Sequence, residues 1–246
     1  KGCAWDIEQT FETIAPYTIE EAYEVNDAIT RENMPELREE LGDLLFQVMF
    51  HSRMAEEIDE FDLYDVCDDL TRKMVRRHPH VFETTDNRTV IEQTRAWEEM
   101  KAAERATKTS SDDASVLDGI AIALPALMRA EKLQKRAARV GFDWPDISGV
   151  IDKISEEAKE VADAAESANA DRLEDEIGDL LFAVTNLGRY LGVDPEKALR
   201  RTNDKFTRRF QHIEDAARTQ KQSLQDMTLD EMETHWIAAK NKEKRS

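Results

Sequence analysis

The stretches Glu20-Glu21-Ala22-Tyr23-Glu24-Val25 and Glu40-Leu41-Gly42-Asp43-Leu44-Leu45-Phe46 contain an acidic pattern that occurs twice in this chain. The second copy lies 136 residues further on, at 156–161 and 176–182. Its two stretches are separated by the same number of residues as those of the first copy. Over 20–48 and 156–184 the copies share 16 identical residues in 29 positions. A repeat of this length predicts two domains with the same fold.

Further landmarks repeat in the same order on both sides of the acidic pattern. Each copy begins with a GxxW motif, at 2–5 and 141–144, and continues after the acidic residues with KxxRR and then WxxxK. Behind the acidic residues, leucine, valine and methionine recur at helical spacing, as at Leu44, Leu45, Val48 and Met49. With only 8 glycines and 6 prolines in 246 residues, the chain is predicted to be all-α.

Capping signals divide each copy into four helices. In the first copy we expect helices from the cap Thr18 to about Thr30, from Pro35 to about Ile58, from Asp62 to just before His78-Pro79, and from Thr89 to about Arg105. In the second copy we expect helices near 148–168, 171–191, 195–219 and 228–243, where Asp194-Pro195 and Thr228-x-x-Glu231 mark two of the starts.

The domain boundaries follow from the repeat and from one stretch of small polar residues. We predict a first domain at 1–105, a linker at 106–118 and a second domain at 119–246. A helix from Leu124 to Val140 precedes the second GxxW motif, whereas the first motif stands at the start of the chain. We therefore expect that a natural N-terminal helix is missing from this sequence.

Composition excludes several classes of function. A net charge of −19 argues against duplex DNA or RNA as the main partner, because a phosphate backbone favours a basic surface. The sequence has no apolar run of about 18 residues and no secretory signal pattern, so we expect a cytoplasmic protein without a membrane span. Two cysteines, Cys3 and Cys67, are too few for a disulfide framework or a zinc site, and we expect free thiols.

The acidic residues are spaced to bind a metal ion. Glu21 with Glu24, and Glu40 with Asp43, lie three apart and therefore on one side of a helix. If the two helices pack antiparallel through their apolar stripes, both pairs can converge on one magnesium ion, which prefers oxygen ligands. The alternative is an ordinary solvated helix face, or a capping role for Glu21 three residues after Thr18.

Two observations favour the metal site over those alternatives. The second copy has no serine or threonine three positions before Glu157, so capping alone does not explain the repeated pattern. Gly42 and Gly178 stand inside the predicted helices, where glycine costs about 1 kcal/mol relative to alanine. We take these glycines to indicate a close backbone approach beside the carboxylates.

Other side chains have two interpretations each. Arg172, Lys205, Arg208 and Arg209 can bind phosphate or can pair with the abundant surface carboxylates. Trp236 can stack on a nucleobase or pack within its own domain. His78 and His80 flank Pro79 and are assigned to a turn rather than to a metal. No P-loop, GxGxxG motif or Ser/His/Asp order is present, which favours metal-activated water as the attacking group.

The motifs resemble those of the all-α nucleoside triphosphate pyrophosphohydrolases, and the stretches GCAWDIEQTFETIAPYTIEEAYEV, ELGDLLFQV, RRHPHVF, GFDW, EEAKEV and EIGDLLFAV resemble the MazG family in particular. The resemblance covers nearly the whole chain, with Ala4 where the family commonly has proline. It implies hydrolysis of ribo- and deoxyribonucleoside triphosphates of broad base range to the monophosphate and pyrophosphate, with Mg²⁺ or Mn²⁺. It also implies a homodimer whose subunits together form a four-helix-bundle core.

The resemblance also assigns residues, with the second domain taken as the catalytic one. The implied metal ligands are Glu157, Glu160, Glu176 and Asp179, with a second, less certain site at Glu21, Glu24, Glu40 and Asp43. The implied nucleotide contacts are Lys153, Ile154, Ser155, Glu156, Glu157, Arg172, Leu173, Glu174, Asp175, Lys205, Phe206, Thr207, Arg208, Arg209 and Trp236. Among these, Glu156 is a candidate to orient or deprotonate the attacking water, and Lys205 and Arg208 compensate the charge of the leaving pyrophosphate.

Three other functions were weighed against this one. A di-iron carboxylate bundle needs Glu-x-x-His on two helices, and neither acidic pair contains histidine. A non-catalytic protein that binds nucleotide or assists assembly stays open, because an intact ligand set indicates binding rather than turnover. Narrower relatives that act on dUTP, dCTP or phosphoribosyl-ATP share the same chemistry, but the tandem repeat disfavours them.

Overall fold

A computed structural model describes residues 3–82, 88–108, 115–167 and 169–243, and for 105–108 it describes the backbone alone. The described residues form helices and contain no strand, as the sequence predicted. None of these helices combines the length and apolar character needed to cross a membrane. The chain divides into two compact units, unit 1 at Lys1–Glu104 and unit 2 at Arg105–Ser246.

Unit 1 is built on a hairpin of two long helices. Its helices, in chain order, are α1 (Ala4–Ile7), α2 (Phe11–Thr30), α3 (Met34–Glu57), α4 (Leu63–Arg77), α5 (Pro79–Phe82) and α6 (Val90–Lys108). Helices α2 and α3 form the main packing contact. Asn33 joins them, and its side-chain oxygen accepts the Glu36 N–H at the start of α3. The buried apolar residues Ile14, Ala28 and Ala55 form a small core.

Unit 2 repeats the hairpin and adds helices around it. Its helices are α7 (Ala126–Arg139), α8 (Ile147–Glu166), α9 (Ala170–Tyr190), α10 (Pro195–Gln220) and α11 (Leu229–Glu243), with a 3₁₀ turn at Leu224–Asp226. Asn169 caps α9 as Asn33 caps α3. Helix α7 packs on α9, and α11 packs on α10. The buried Val150 and Ala164 match Ile14 and Ala28 of unit 1 at the same offset of 136.

The predicted start of α2 at Thr18 is wrong. The helix begins at Phe11, where Thr10 and Thr13 form a capping box, and it continues through Pro16. Contacts with α3 support these first turns, because the Phe11 ring stacks on His51 with centroids 5.8 Å apart. Thr18 lies inside the helix, and its hydroxyl lies 3.0 Å from Nε2 of the same histidine. Thr18 therefore does not form a capping box with Glu21.

The other predicted starts agree with the structure within a few residues. Asp62 caps α4, while Thr89 with Glu92 and Thr228 with Glu231 form the hydrogen bonds of capping boxes. His78 ends α4, and Pro79 begins α5. Helix α6 continues to Lys108, three residues into the segment predicted as the linker. Residues 109–114 of that segment lie outside the described residues.

Two expectations about the hairpins need correction. A Cβ added at Gly42 or Gly178 would meet no atom within 4 Å, so the chain's own described residues make no close approach there. The apolar stripes behind the acidic residues were expected to lie between the paired helices. Instead Leu45 and Leu181, which match in the repeat, are 57% and 52% exposed. The helices pack through smaller side chains, and at least half of each stripe is exposed.

Candidate metal centre

The hairpin of unit 2 brings three predicted metal ligands together. Glu157 on α8 and the pair Glu176 and Asp179 on α9 each place one carboxylate oxygen within 4.8 Å of the other two. Oxygens bound to one Mg²⁺ at about 2.1 Å are at most about 4.2 Å apart. Small side-chain rotations are therefore enough for these three groups to share one ion.

Glu157 is the most constrained member of this group. It is only 3% exposed, and its Oε1 lies 2.6 Å from the Lys153 ammonium. Its other oxygen, Oε2, is buried and accepts no hydrogen bond from the part of the chain that the structure describes. A buried carboxylate oxygen without a partner is costly. A cation bound among the three carboxylates would satisfy it, so the residues present fit a divalent metal.

The electrostatics of unit 2 point the same way. Burial raises the pKa of the Glu160 carboxyl above its usual value, and the negative charges of Glu157 and Glu176 raise it further. The hydrogen bonds of Lys153 to Glu157 and then to Glu156 raise the pKa of the lysine ammonium. The carboxylates thus repel one another, and one lysine offsets part of the repulsion. A divalent cation would offset more of it.

Unit 1 assembles a similar group with different membership. Glu21, Glu24 and Glu40 place carboxylate oxygens within 4.8 Å of one another. Burial raises the pKa of Glu21, followed by the charges of Glu24 and Asp43. Burial likewise raises the pKa of Glu40, followed by the charges of Glu24 and Asp43. In each unit, then, three of the four predicted ligands form the closest group, and the fourth is Asp43 in unit 1 and Glu160 in unit 2.

The two groups differ in the cations beside them. In unit 2, Lys153 contacts Glu157, and Arg172 Nε lies 3.5 Å from Glu176 Oε1. The matching positions in unit 1 are Tyr17 and Glu36. The unit 1 carboxylates therefore lack both of the cations that accompany those of unit 2.

The remaining predicted contacts of the hairpin lie on the same two helices. Glu156 is exposed on α8, and its Oε1 accepts a hydrogen bond from Lys153 at 2.9 Å. Ile154 and Ser155 precede it, and the Ser155 hydroxyl donates to the Ile151 carbonyl at 3.0 Å. The residues Leu173, Glu174 and Asp175 follow Arg172 along the beginning of α9.

The other predicted contacts form a separate group on α10 and α11. Lys205 and Arg208 line a groove of about 550 Å³ together with further cationic side chains, and none of the predicted metal ligands lines it. The further cationic residues of this groove are Arg201 and Lys242, and His212 lines it as well.

Next to this groove, Phe206, Arg209 and Trp236 pack against one another. The Phe206 and Trp236 ring centroids are 5.2 Å apart, and the Arg209 guanidinium carbon lies 5.5 Å from the Trp236 centroid. Arg209 Nη2 also lies 2.6 Å from Glu243. Trp236 thus packs within its unit and Arg209 pairs with a surface carboxylate, while nucleotide binding by these residues stays a prediction. Thr207 lies on α10 beside them and is exposed.

Sequence reasoning missed a cleft that opens beside the carboxylates of unit 2. The cleft has a volume of about 740 Å³, and Glu157 and Asp179 contribute to its lining. It is also lined by Gln134 on α7, by Trp144, which precedes α8, and by Asn186 on α9. The GxxW motif was a visible signal for Trp144, but it was used only as a landmark of the repeat.

Comparison with known proteins agrees with this arrangement of two similar hairpins. A family model described as the MazG nucleotide pyrophosphohydrolase domain matches residues 9–82 and again residues 147–214. This chain belongs to the MazG family. Each of the two matched segments contains all four predicted carboxylates of its unit. Both MazG segments also contain the complete helix hairpin, α2–α3 or α8–α9.

Curated relatives extend the likeness over the whole chain. The nucleoside triphosphate pyrophosphohydrolase of Escherichia coli K12 is 49% identical over 98% of this chain and 92% of its own length. The nucleoside triphosphate pyrophosphohydrolase/pyrophosphatase MazG of Thermotoga maritima is 41% identical over 98% of this chain and 90% of its own length. The uncharacterized protein YabN of Bacillus subtilis is 44% identical over the whole chain, which corresponds to half of YabN.

Proposed function

We propose that this chain is a nucleoside triphosphate pyrophosphohydrolase that releases pyrophosphate from ribo- and deoxyribonucleoside triphosphates of broad base range. One observation carries the proposal. Glu157, Glu176 and Asp179 converge in unit 2, and the buried Oε2 of Glu157 has no hydrogen-bond partner in the described chain. The family membership and the printed names of the relatives support the same reaction.

The metal ligands in this proposal are Glu157, Glu160, Glu176 and Asp179. All four supply carboxylate oxygens, the donors that Mg²⁺ and Mn²⁺ prefer. A bound divalent cation would supply Lewis-acid polarisation of the phosphate oxygens. Unit 1 offers Glu21, Glu24, Glu40 and Asp43 as a second site, which we rank below the first because Tyr17 and Glu36 replace Lys153 and Arg172.

The side chains of unit 2 have defined tasks in the proposed hydrolysis. Lys153 and Arg172 lie beside the carboxylates and neutralise the charge of the triphosphate. A water molecule attacks the α-phosphorus, its oxygen forms the new P–O bond, and Glu156 accepts the proton that is released. The bond from the α-phosphorus to the bridging oxygen breaks, and pyrophosphate leaves with the bonding electrons. The substrate extends towards the groove on α10 and α11, where Lys205 and Arg208 compensate the charge of the leaving pyrophosphate.

We also propose that the chain acts as a homodimer. The outward-facing stripes on α3 and α9 leave large apolar side chains half-exposed, including Leu45, Leu181 and Val184. Apolar surface of this kind is stabilised when a second hairpin packs against it. Two hairpins packed in this way would form a four-helix bundle.

Pyrophosphate release from a panel of ribo- and deoxyribonucleoside triphosphates tests the function and the choice of unit. With Mg²⁺ present, Glu176→Gln should lower kcat/KM at least about 100-fold, because it removes a metal ligand and a charge. Glu40→Gln makes the same change at the matching position of unit 1, and it should retain most of the activity. Equal losses in both variants would contradict the assignment of catalysis to unit 2.

A second outcome would support the non-catalytic alternative. If the purified chain binds the triphosphates with Mg²⁺ but releases no pyrophosphate from any of them, the intact carboxylates serve nucleotide binding rather than turnover. Calorimetric titration with the same panel separates the two functions. Glu176→Gln should weaken that binding if the carboxylates bind the metal.

A further inference from the structure

Each unit contains a pair of helices joined by the same kind of ion pair. In unit 1, Arg76 and Arg77 on α4 both contact Glu104 on α6, with 2.9 Å from Arg76 Nε to Glu104 Oε1. In unit 2, Arg209 on α10 lies 2.6 Å from Glu243 on α11. Arg77 matches Arg209 in the repeat at an offset of 132, and Glu104 matches Glu243 at an offset of 139. The two helix pairs can therefore be compared position by position.

Near this ion pair, unit 1 has polar side chains at positions that are apolar in unit 2. Phe210 on α10 stacks on Phe206 with centroids 6.1 Å apart, and Met232 on α11 packs against a buried apolar cluster of unit 2. At the same two offsets, the matching residues of unit 1 are His78 and Gln93. A polar group at a packed position lowers stability unless it has a partner. The exchange therefore needs a reason that packing does not give.

Several polar atoms of this part of unit 1 are buried and unpaired. Gln93 Oε1, Gln93 Nε2 and His80 Nδ1 are all buried, and the described residues offer none of them a hydrogen bond. The predicted turn is confirmed, since His78 ends α4 and Pro79 begins α5. The turn explains the change of chain direction, but it does not explain the buried atoms. Buried polar atoms in this state are stabilised by a bound ligand or ion.

The two histidines have the geometry of metal ligands. His78 Nδ1 lies 2.7 Å from the Met74 carbonyl oxygen, and because a carbonyl only accepts, Nδ1 carries the hydrogen. The lone pair of the neutral ring is then on Nε2. Histidines that bind metals usually donate their other N–H in this way. The rings of His78 and His80 have centroids 5.6 Å apart, close to the value of about 5 Å for two imidazoles on one tetrahedral Zn²⁺.

Helix α6 brings a third donor to the same place. The Trp97 ring contacts His78 with centroids 5.2 Å apart, and its Nε1 donates to the Arg77 carbonyl oxygen at 2.9 Å. These two contacts fix Trp97 against the end of α4. Gln93 stands one turn before Trp97 and therefore on the same side of α6. Its unpaired Oε1 is an oxygen donor of the kind that can complete a site with two imidazoles.

We propose that unit 1 binds a divalent transition-metal ion of the Zn²⁺ type through His78 Nε2, His80 Nδ1 and Gln93 Oε1. Imidazole nitrogens suit Zn²⁺, Cu²⁺ and Ni²⁺, whereas the carboxylate groups of the two hairpins suit Mg²⁺. The nearby positive charge of Arg77 is compensated by Glu104 and does not exclude a cation. The bound ion joins the end of α4 and the short α5 to α6 and so stabilises unit 1. This site is independent of the proposed hydrolysis.

The test uses the full chain, freed of metal with a chelator and then titrated with Zn²⁺ in a calorimeter with Mg²⁺ present. Zn²⁺ also binds carboxylates, so the parent is compared with variants that keep all of these. We expect the parent to bind one more Zn²⁺ ion per chain than His78→Phe, and Zn²⁺ to raise its melting temperature further. Cu²⁺ in place of Zn²⁺ should give an electron paramagnetic resonance spectrum with nitrogen couplings from two imidazoles, which carboxylate ligands cannot produce.

The variants introduce the residues that unit 2 has at the matching positions, so they are compatible with the packing of this helix pair. His78→Phe should lose the additional Zn²⁺ ion and the couplings from two imidazoles. Gln93→Met should weaken binding of that ion about tenfold, because one ligand is lost. His235→Phe on α11 is the matched control, since it removes a histidine outside the site and should bind Zn²⁺ as the parent does.

Three results would contradict the proposal. Equal numbers of bound Zn²⁺ ions in the parent and in His78→Phe would overturn the site and leave water as the partner of the buried atoms. A Cu²⁺ spectrum without couplings from two imidazoles would do the same. Unchanged affinity in Gln93→Met would overturn the assignment of the third ligand. None of these measurements depends on turnover, so absence of pyrophosphate release overturns the proposed function without affecting this test.

Discussion

At the scale of single residues, the two copies of the repeat differ in their cations rather than in their carboxylates. Both hairpins bring three acidic side chains together. In each unit, burial and then the charges of neighbouring carboxylates raise the pKa of a glutamate of the predicted site, Glu21 in unit 1 and Glu160 in unit 2. Only unit 2 places Lys153 and Arg172 beside them, where unit 1 has Tyr17 and Glu36. A triphosphate brings about four negative charges, so carboxylates and metal without cations bind it poorly.

Removing the lysine tests this difference. Lys153→Met should lower kcat/KM for nucleoside triphosphates by about 10- to 100-fold, because a cation that compensates phosphate charge is lost. Lys153→Arg retains the charge and should keep most of the activity. Pyrophosphate release measured beside thermal unfolding separates this effect from loss of the fold. Activity equal to the parent in a folded Lys153→Met variant would remove the lysine from the site.

At the scale of helices, the repeat contained more information than the local signals. In unit 2, the first helix of the hairpin was predicted to start near 148. The repeat offset of 136 places the matching start in unit 1 near 12, and α2 begins at Phe11. The capping signal at Thr18 suggested a later start. Tertiary contacts outweigh the missing N–H of Pro16, since Ile14 is buried and Phe11 stacks on His51.

The candidate site was predictable only where it lies within one helix or one hairpin. The carboxylates follow from i, i+3 spacing and a short loop, both of which are visible in the sequence. The cleft depends on Gln134 of α7 meeting Phe182 of α9, a pair 48 residues apart. The exposure of the apolar stripes could not be predicted from the sequence either. Periodicity shows that a helix has an apolar face, but it does not show which element packs against that face.

Helices α4 and α6 are joined by an ion pair that should make unit 1 sensitive to acid. Hydrogen bonds from Arg77 and then Arg76 lower the pKa of Glu104 to about 2, below the ordinary value of 4.5. A lowered pKa in the folded state stabilises the fold above the ordinary value, and the contribution is lost as the pH falls from about 4.5 towards 2. For this partly exposed pair the contribution is about 1 kcal/mol.

Glu104→Gln removes the charge and leaves the size unchanged. Its melting temperature should lie below that of the parent at neutral pH, and the difference should shrink as the pH falls through 4.5 towards 2. Thermal unfolding of both chains between pH 7 and pH 2.5 measures this. The variant Glu99→Gln, whose carboxylate pairs with the exposed Arg95 on the same helix, serves as the control. A difference that stays constant with pH would assign the effect to packing rather than to charge.

At the scale of the whole molecule, each unit buries few large apolar side chains and leaves many exposed. The fully buried set consists mainly of alanines, with Ile14, Val150 and Ile213 among its larger members. The long stripes of α3 and α9 are half-exposed instead. Apolar side chains that are exposed together along one face of a helix are typical of a protein–protein interface. The net charge of −19 opposes non-specific association, and the partner that we propose for this surface is a second copy of the hairpin.

Charge placed on the stripe tests the proposed dimer and identifies the unit that forms it. Leu45→Arg and Leu181→Arg change matching positions of the two units, and each buries an arginine if its hairpin packs against a second copy. Light scattering should give a dimer for the parent and a monomer for the variant whose hairpin forms the interface. Leu199→Arg on α10, where the leucine is 48% exposed away from the stripes, should stay dimeric. If activity falls together with the dimer in Leu181→Arg, the site in unit 2 needs its partner. A monomeric parent, or dimers in both stripe variants, would contradict the proposed assembly.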